Sequence, residues 1–412
     1  MSQLSKNFGR IGLFSVFGAA AVVAAVMVGS RHAAVPAPPL VVSANSPALQ
    51  SGFGHLHLAQ AVTYANLTIY PVYAEGGAGL TAAVMAARPT APEFETLAEG
   101  LDKGTVQARE ANCSCAPDAD ERHSTAPVSL PNGITVPGPE ATNAEQGDSH
   151  RGANLLMVTN VSPKPTYIPD GQVVPGGGQD RGTAADTVVP ARSAQVSVAA
   201  FCVEANRSSG PSSVFHKEVV LAIPSVRYAM QVVGDQQPVW NSVAVATSHF
   251  GAKTESGTYA ALNQSRSAQL AVLPYMEALT VGVQSATPGR VVGVVATING
   301  HIVCADLYRN PTLFNQMWPA LLRSYALQAA MIRAGYRPAT PAVPSAEASH
   351  WLASLDTASG IPSRASAYTQ VARVSTEFGA GNRTAAVTAM GCSQKMALLH
   401  EAFWTPAAAL SN

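Results

Sequence analysis

Charge is scarce in this sequence. Asp, Glu, Lys and Arg make up 12% of its 412 residues, about half the usual share of a globular chain. The little charge present cancels, with 25 Lys plus Arg against 25 Asp plus Glu. No basic field exists to attract a phosphate backbone, so nucleic acid is excluded as an expected partner. The familiar catalytic signatures are missing as well: there is no GxSxG elbow, HExxH helix, Walker loop or dinucleotide-binding glycine pattern. His55 and His57 share a strand face, but no third and fourth ligands stand at zinc spacing. No metal and no cofactor is expected on that ground. Cysteines number five, so at least one thiol per chain has no intrachain partner.

What the chain has is apolar bulk, at 47% of residues, ample for a buried core. Its first thirty residues read as an export segment. Lys6 and Arg10 precede an uncharged run over residues 11–28, and Gly29-Ser30 and a Pro/Ala-rich stretch follow. The run is long for a signal-peptide core and slightly short for a span of about 20 residues. It therefore predicts either a cleaved signal peptide or a single anchor. In both cases the remaining chain lies outside the cytoplasm, periplasmic or extracellular, with residues 11–28 its one expected membrane contact. Residues 31–60 read as a tether, with folded sequence beginning near Ala65.

The clearest local signals run from Val291 to Met331. Residues 291–297 are β-branched and apolar, Asn299-Gly300 is a strong hairpin signal, and residues 302–308 supply the return strand. Asn310 can cap the helix that follows, with Pro311 at its first position. Helical spacing puts Phe314, Trp318, Leu321, Leu322 and Tyr325 on one stripe and Gln316, Ala320, Arg323 and Leu327 on the far side. Gly335 is expected to end the helix.

Elsewhere, strands are expected over residues 65–72, 104–109, 155–161 and 195–203, with a turn at Asp170-Gly171. Helical patterns cover residues 94–101, 218–232, 269–279 and 346–355. Residues 111–151 read as a polar surface insertion, residues 336–345 as a Pro-rich loop, and residues 405–412 as a tail. A last hairpin over residues 384–390 and 395–403 is expected to return to the main sheet. Short strands joined by turn chemistry predict one α+β domain over residues 61–404, with a mainly antiparallel, sandwich-like sheet and several packed helices.

The segments LTIYPV, QDR within GGGQDRG, FCVEANR, VVATINGHIVCADLYRNPTLFNQMWPALLRSYAL and MALLHEAF together resemble a bacterial family. That family is named for its association with ADP-ribosylglycohydrolase and rhodanese-phosphatase-superfamily proteins, and was formerly a domain of unknown function. The resemblance runs from about Ala65 to Phe403, implies one α+β domain, and implies no established activity. The polar residues that match the family's motifs are Gln179, Arg181, Glu204, Arg207, Asp306, Arg323, Tyr325 and His400. This sequence departs from the pattern in its export segment, in the glycines before Gln179, and in lacking an aromatic residue after Arg207.

These residues supply the candidate chemistry. Gly176, Gly177 and Gly178 with Arg181 can present backbone N–H groups and a guanidinium to an anion, although no strand-GxxxxGK-helix context surrounds them and a mobile hairpin loop is the preferred account. Glu204 and Arg207 follow an apolar strand and either line a cleft or form a structural ion pair. Asp306 shares its strand face with Cys304 and, if buried, needs a cation, for which Arg181, Arg207 or Arg323 is available. Arg323 by itself reads as solvated.

The leading expectation is an exported, non-catalytic domain that binds a small anionic ligand or an envelope protein partner, through Gln179, Arg181, Arg207, Arg323 and Tyr325. The alternative is a hydrolase of a nucleotide-derived or phosphorylated metabolite, with Glu204, Asp306 or His400 as its catalytic candidates.

Overall fold

The Asn299-Gly300 hairpin forms the centre of a nine-stranded antiparallel sheet. A computed structural model describes residues 56–74, 93–111, 128–129, 135–136, 155–207, 214–286, 291–333, 342–366, 368–390 and 393–409. Expectations for the export segment, for most of the insertion at residues 111–151 and for Gly335 fall outside them. Of the insertion, Val128–Ser129 and Thr135–Val136 are described and pair with each other.

Across the main sheet the strands run Leu56–Leu58, Leu67–Ala74, Val291–Ile298, His301–Tyr308, Ser393–Trp404, Gly379–Met390, Thr369–Thr376 and Ile361–Ser366, with Val62–Tyr64 also on Leu67–Ala74. Pairing thus starts upstream of Ala65, inside the stretch read as tether. The central turn has both residues left-handed, Asn299 at φ 51 and Gly300 at φ 76, as a two-residue hairpin loop requires. The closing hairpin returns to this sheet as expected, with Tyr308 opposite His400. Thr369–Thr376 and Ile361–Ser366 extend it; their Ser, Thr and Arg content hid that strand pair in the sequence.

Helix Pro311–Met331 starts where Asn310 accepts a hydrogen bond from the Thr312 N–H at 2.8 Å. Its apolar stripe is buried on the sheet, and Leu327, expected on the solvated side, is buried too. Helix Arg266–Ala286 packs along that second side, a tertiary contact that helical periodicity alone cannot show. On the opposite face of the sheet lies Ser345–Asp356, whose Trp351, Leu352 and Leu355 pack with Tyr70, Val295, Leu307 and Phe403. Coverage on both faces explains why every residue of Val291–Ile298 is buried.

A six-stranded sheet runs Val220–Leu221, Gln172–Val174, Arg181–Thr183, Ser193–Cys202, Leu155–Asn160 and Val106–Glu110. Beside it, Thr187–Val189, Thr166–Ile168 and Glu95–Thr96 make a three-stranded sheet. Helix Leu97–Lys103 opens with a reciprocal capping box between Thr96 and Glu99.

The single helix expected over residues 218–232 is instead a short strand, helix Pro224–Tyr228 and a π-helical turn Ala229–Val233. Pro224 has no N–H to continue an earlier helix, so a new one begins there. Gly234, left-handed at φ 70, closes the segment. Helix Gln236–His249 then starts at the Asp235 cap; its Val and Thr content and weak apolar periodicity concealed it. Among the described residues no helix is long and apolar enough to cross a membrane.

Candidate functional site

Strand alternation sends Ala305 and Leu307 towards Ser345–Asp356, and Cys304, Asp306 and Tyr308 into the larger core on the other face. Asp306 is fully buried there, so its charge needs a partner. The partner is Arg227, not Arg181, Arg207 or Arg323. Helix Pro224–Tyr228 carries Arg227 against the sheet, where it donates to Asp306 Oδ1 at 2.6 Å and Oδ2 at 3.2 Å. Its Nη2 also donates to Asp170 Oδ1 at 2.7 Å. The guanidinium carbon lies 4.6 Å from the centre of the Trp404 ring.

The last strand completes the cluster. Leu399 is an extra residue between the pairs Thr384–His400 and Ala385–Leu398, and this bulge lies directly beside His400. His400 Nδ1 lies 2.7 Å from Asp186 Oδ2, and Nε2 lies 3.2 Å from Asp306 Oδ1. The Tyr308 ring stacks on the imidazole at 4.2 Å. Asp186 Oδ1 accepts from the Tyr167 hydroxyl at 2.8 Å and from the Asp170 N–H at 2.9 Å. Tyr325 donates to Asp306 Oδ2. Gly171 makes this possible: left-handed at φ 70, it turns the chain after Asp170, and a side chain there would overlap Arg227.

Electrostatics follow the contacts. Burial raises the Asp170 carboxyl to about 6, against the pull of Arg227. Burial works the same way on Asp306, but Arg227 and His400 outweigh it and hold that carboxyl well below the usual range. For His400, burial favours the neutral ring, and the Asp186 and Asp306 carboxylates overcome it, raising the imidazolium to about 10.

Of the residues singled out in the sequence, Asp306, Tyr325 and His400 therefore meet. Asp170, Asp186 and Arg227 were missed. Asp170 read as a turn residue, and the available signal for Arg227 was a lone cation within the apolar run AIPSVRYAM.

A second group gathers Gln179, Arg181, Glu204 and Arg207 at the end of Ser193–Cys202. Arg207 donates to Glu204 Oε2 at 2.9 Å, to the Gly177 carbonyl at 2.7 Å and to Asp180 Oδ1 at 3.1 Å. The Asp180 N–H donates to Glu204 Oε2 at 3.0 Å. Arg181 reaches Glu110 at 3.2 Å and also contacts the Cys202 sulfur, while Gln179 donates to the Glu204 carbonyl at 3.1 Å. The glycine loop is occupied from within: the Gly176 N–H goes to Asp180 Oδ1 and the Gly177 N–H to the Val214 carbonyl. Burial raises the Asp180 carboxyl; Glu204 is buried too, but Arg207 brings it below its ordinary value.

Arg323 belongs to neither group. It donates to Asn263 Oδ1 at 3.1 Å, half-buried, and borders a surface groove of about 480 Å3 with Asn263, Arg266, Gln269, Leu270 and Leu273. Leu270 and Leu273 are 54% and 49% exposed.

Among the described cysteines, Cys202 and Cys304 are buried thiols outside any disulfide. Cys113, Cys115 and Cys392 lie outside the described residues, as does His55, whereas the His57 ring stacks on Tyr73 at 5.3 Å.

The model of the ARG and Rhodanese-Phosphatase-superfamily-associated Protein domain matches residues 55–404, and the chain belongs to that family. No curated protein and no solved structure matches the chain.

Proposed function

We propose that this family member is an exported, non-catalytic domain that binds a small anionic ligand, and that the Arg266–Arg323 groove receives it. One observation carries the reading: the groove puts two guanidinium-bearing residues at the surface beside exposed leucines. Such a lining suits a carboxylate or phosphate attached to a small apolar body. The residues with catalytic chemistry are instead occupied by one another. Asp306 and His400 are wholly buried, and Glu204 is held by Arg207. The export component rests on Lys6, Arg10 and the uncharged run that follows. An envelope protein presenting an acidic or carboxylate group would meet the same groove.

The test is a thermal-shift screen of the full chain against nucleotides, ADP-ribose, phosphosugars and dicarboxylates, followed by titration of any hit. Binding that survives in an Arg266→Ala/Arg323→Ala double variant sinks the groove assignment.

A second reading, hydrolysis of a nucleotide-derived or phosphorylated metabolite, is favoured by the Glu204–Asp180 pair. Both carboxylates contact Arg207 Nη2, at 2.6 Å and 3.1 Å, and their proton affinities are pushed in opposite directions. Turnover of a screened compound that Glu204→Gln abolishes would select this reading.

A further inference from the structure

We propose that Asp170, Asp186 and His400 form an occluded site for a divalent transition-metal ion, zinc in the first place. The three side chains each bring a ligand atom within 4.8 Å of the others, and all three are buried. They come from the turn after Thr166–Ile168, the loop before Thr187–Val189 and the bulged strand Ser393–Trp404. No local spacing in the sequence relates them, which is why motif patterns pass over the set.

The contacts around these residues divide their atoms into held and available ones. Asp170 Oδ1 is held by Arg227 at 2.7 Å, while Asp170 Oδ2, buried, has no hydrogen-bond partner. Asp186 Oδ1 is held by Tyr167 and by the Asp170 N–H, which leaves Oδ2 facing His400 Nδ1 at 2.7 Å. On the imidazole, Nδ1 faces Asp186 Oδ2 and is the nitrogen an ion between them would take, while Nε2 lies 3.2 Å from the Asp306 carboxylate without a hydrogen bond. A carboxylate on the far nitrogen of a histidine fixes the ring and raises its basicity, the outer-shell arrangement of metal-bound imidazoles. Tyr308, stacked on that ring, adds a third buried polar atom without a hydrogen-bond partner, its hydroxyl.

Formal charge points the same way. Three carboxylates, Asp170, Asp186 and Asp306, face two cations, the Arg227 guanidinium and the His400 imidazolium, which leaves one uncompensated negative charge. Exchange of the Nδ1 proton for a divalent ion brings the buried group to neutrality. Uncompensated charge is costly in an interior, and a divalent ion balances it. The ion takes the place that the Nδ1 proton holds in its absence, and tetrahedral ligation at about 2.1 Å asks the His400–Asp186 separation to open from 2.7 Å to about 3.4 Å. One imidazole with two carboxylates suits zinc or manganese better than calcium or magnesium, which prefer oxygen alone.

The experiment uses the full-length protein, stripped with a chelator, dialysed, then offered Zn2+, Mn2+, Mg2+ or Ca2+ singly. Metal content per chain and thermal unfolding are read in parallel, for wild type and for Asp170→Asn, which keeps an acceptor for Arg227 and weakens one ligand. The proposal expects about one zinc per chain, a rise in Tm on reloading, and at least tenfold weaker zinc binding in Asp170→Asn. Should that variant fail to fold, Co2+ in the wild type decides: visible bands without a sulfur charge-transfer band support these ligands. A sulfur band, undiminished zinc affinity in a folded Asp170→Asn, or Tm and metal content indifferent to all four ions overturns it. The last result would leave ordered water as what serves Asp170 Oδ2 and the Tyr308 hydroxyl.

Discussion

Arg227 and Asp306 face each other as a bidentate pair, 2.6 Å and 3.2 Å apart, with neither side chain exposed to solvent. The guanidinium comes from a five-residue helix and the carboxylate from a central strand of the main sheet. A planar fork meeting both carboxylate oxygens fixes position and orientation together, which an ammonium cannot do. Breaking such a pair from one side leaves a buried charge behind. Arg227→Met is therefore expected to destabilise the fold by about 3–5 kcal/mol, and Arg227→Lys to recover only part of that. Denaturant unfolding measures it; a loss under 1 kcal/mol would mean that the pair does not hold these elements together.

Tyr325→Phe removes one donor from Asp306 and leaves Arg227 in place. The expected loss is smaller, roughly 1–3 kcal/mol, because the carboxylate keeps its cation. A cycle with Arg227→Met should be non-additive, since both partners serve one carboxylate. Strict additivity in the unfolding energies would argue against a shared network.

A pH dependence follows from a different buried pair. Arg383 Nε donates to Glu401 Oε1 at 2.6 Å, with both side chains at 0% exposure. Burial nevertheless raises Glu401 to about 8, with the neighbouring Asp356 adding to the rise and Arg383 opposing it. The folded state thus binds this proton more tightly than the unfolded chain, whose Glu titrates near 4.3. The associated stability is complete below about 4.3 and is lost as pH rises through 8. Urea midpoints taken from pH 5 to 9 should fall more steeply for wild type than for Glu401→Gln. Parallel curves would show that Glu401 ionises in the folded state as it does in the unfolded one.

Gly381 lies in Gly379–Met390, where a Cβ would overlap the Ala402 carbonyl oxygen and the Phe403 backbone. Backbone on the neighbouring strand cannot swing aside as a side chain can. Gly381→Ala is expected to lower stability by roughly 1–3 kcal/mol and to disturb the adjoining strand that carries His400. Gly104→Ala is the contrast: open space surrounds it, and only its left-handed φ of 69 resists, so about 1 kcal/mol is expected. Thermal unfolding of the two variants separates close approach from backbone conformation; equal losses would refute that distinction.

For the groove, Arg323→Ala should weaken a bound anion by about tenfold or more, the usual contribution of a charged hydrogen bond. Arg181→Ala should leave that affinity unchanged, because Arg181 is engaged with Glu110 and Cys202 elsewhere in the molecule. Calorimetric titration of the two variants checks the assignment, and the opposite ranking would move the ligand to the glycine loop.

What the sequence determined by itself lies in short-range chemistry. Asn299-Gly300 admits little other than a tight hairpin, Asn310-Pro311 starts a helix, and alternation along His301–Tyr308 puts Asp306 with Cys304 on one face. Each of these is decided by steric rules acting within a few residues. The family, too, was legible in its motifs. Which cation would meet Asp306 was not, because 79 residues separate it from Arg227 and only the packing of helix on sheet brings them together. The same holds for His400 and Asp186, 214 residues apart. Arg323 and Tyr325 are two positions apart on one helix, so their side chains leave it about 200° apart. Tyr325 reaches the buried carboxylate and Arg323 the surface groove, a division set by where the sheet and helix Arg266–Ala286 pack against that helix.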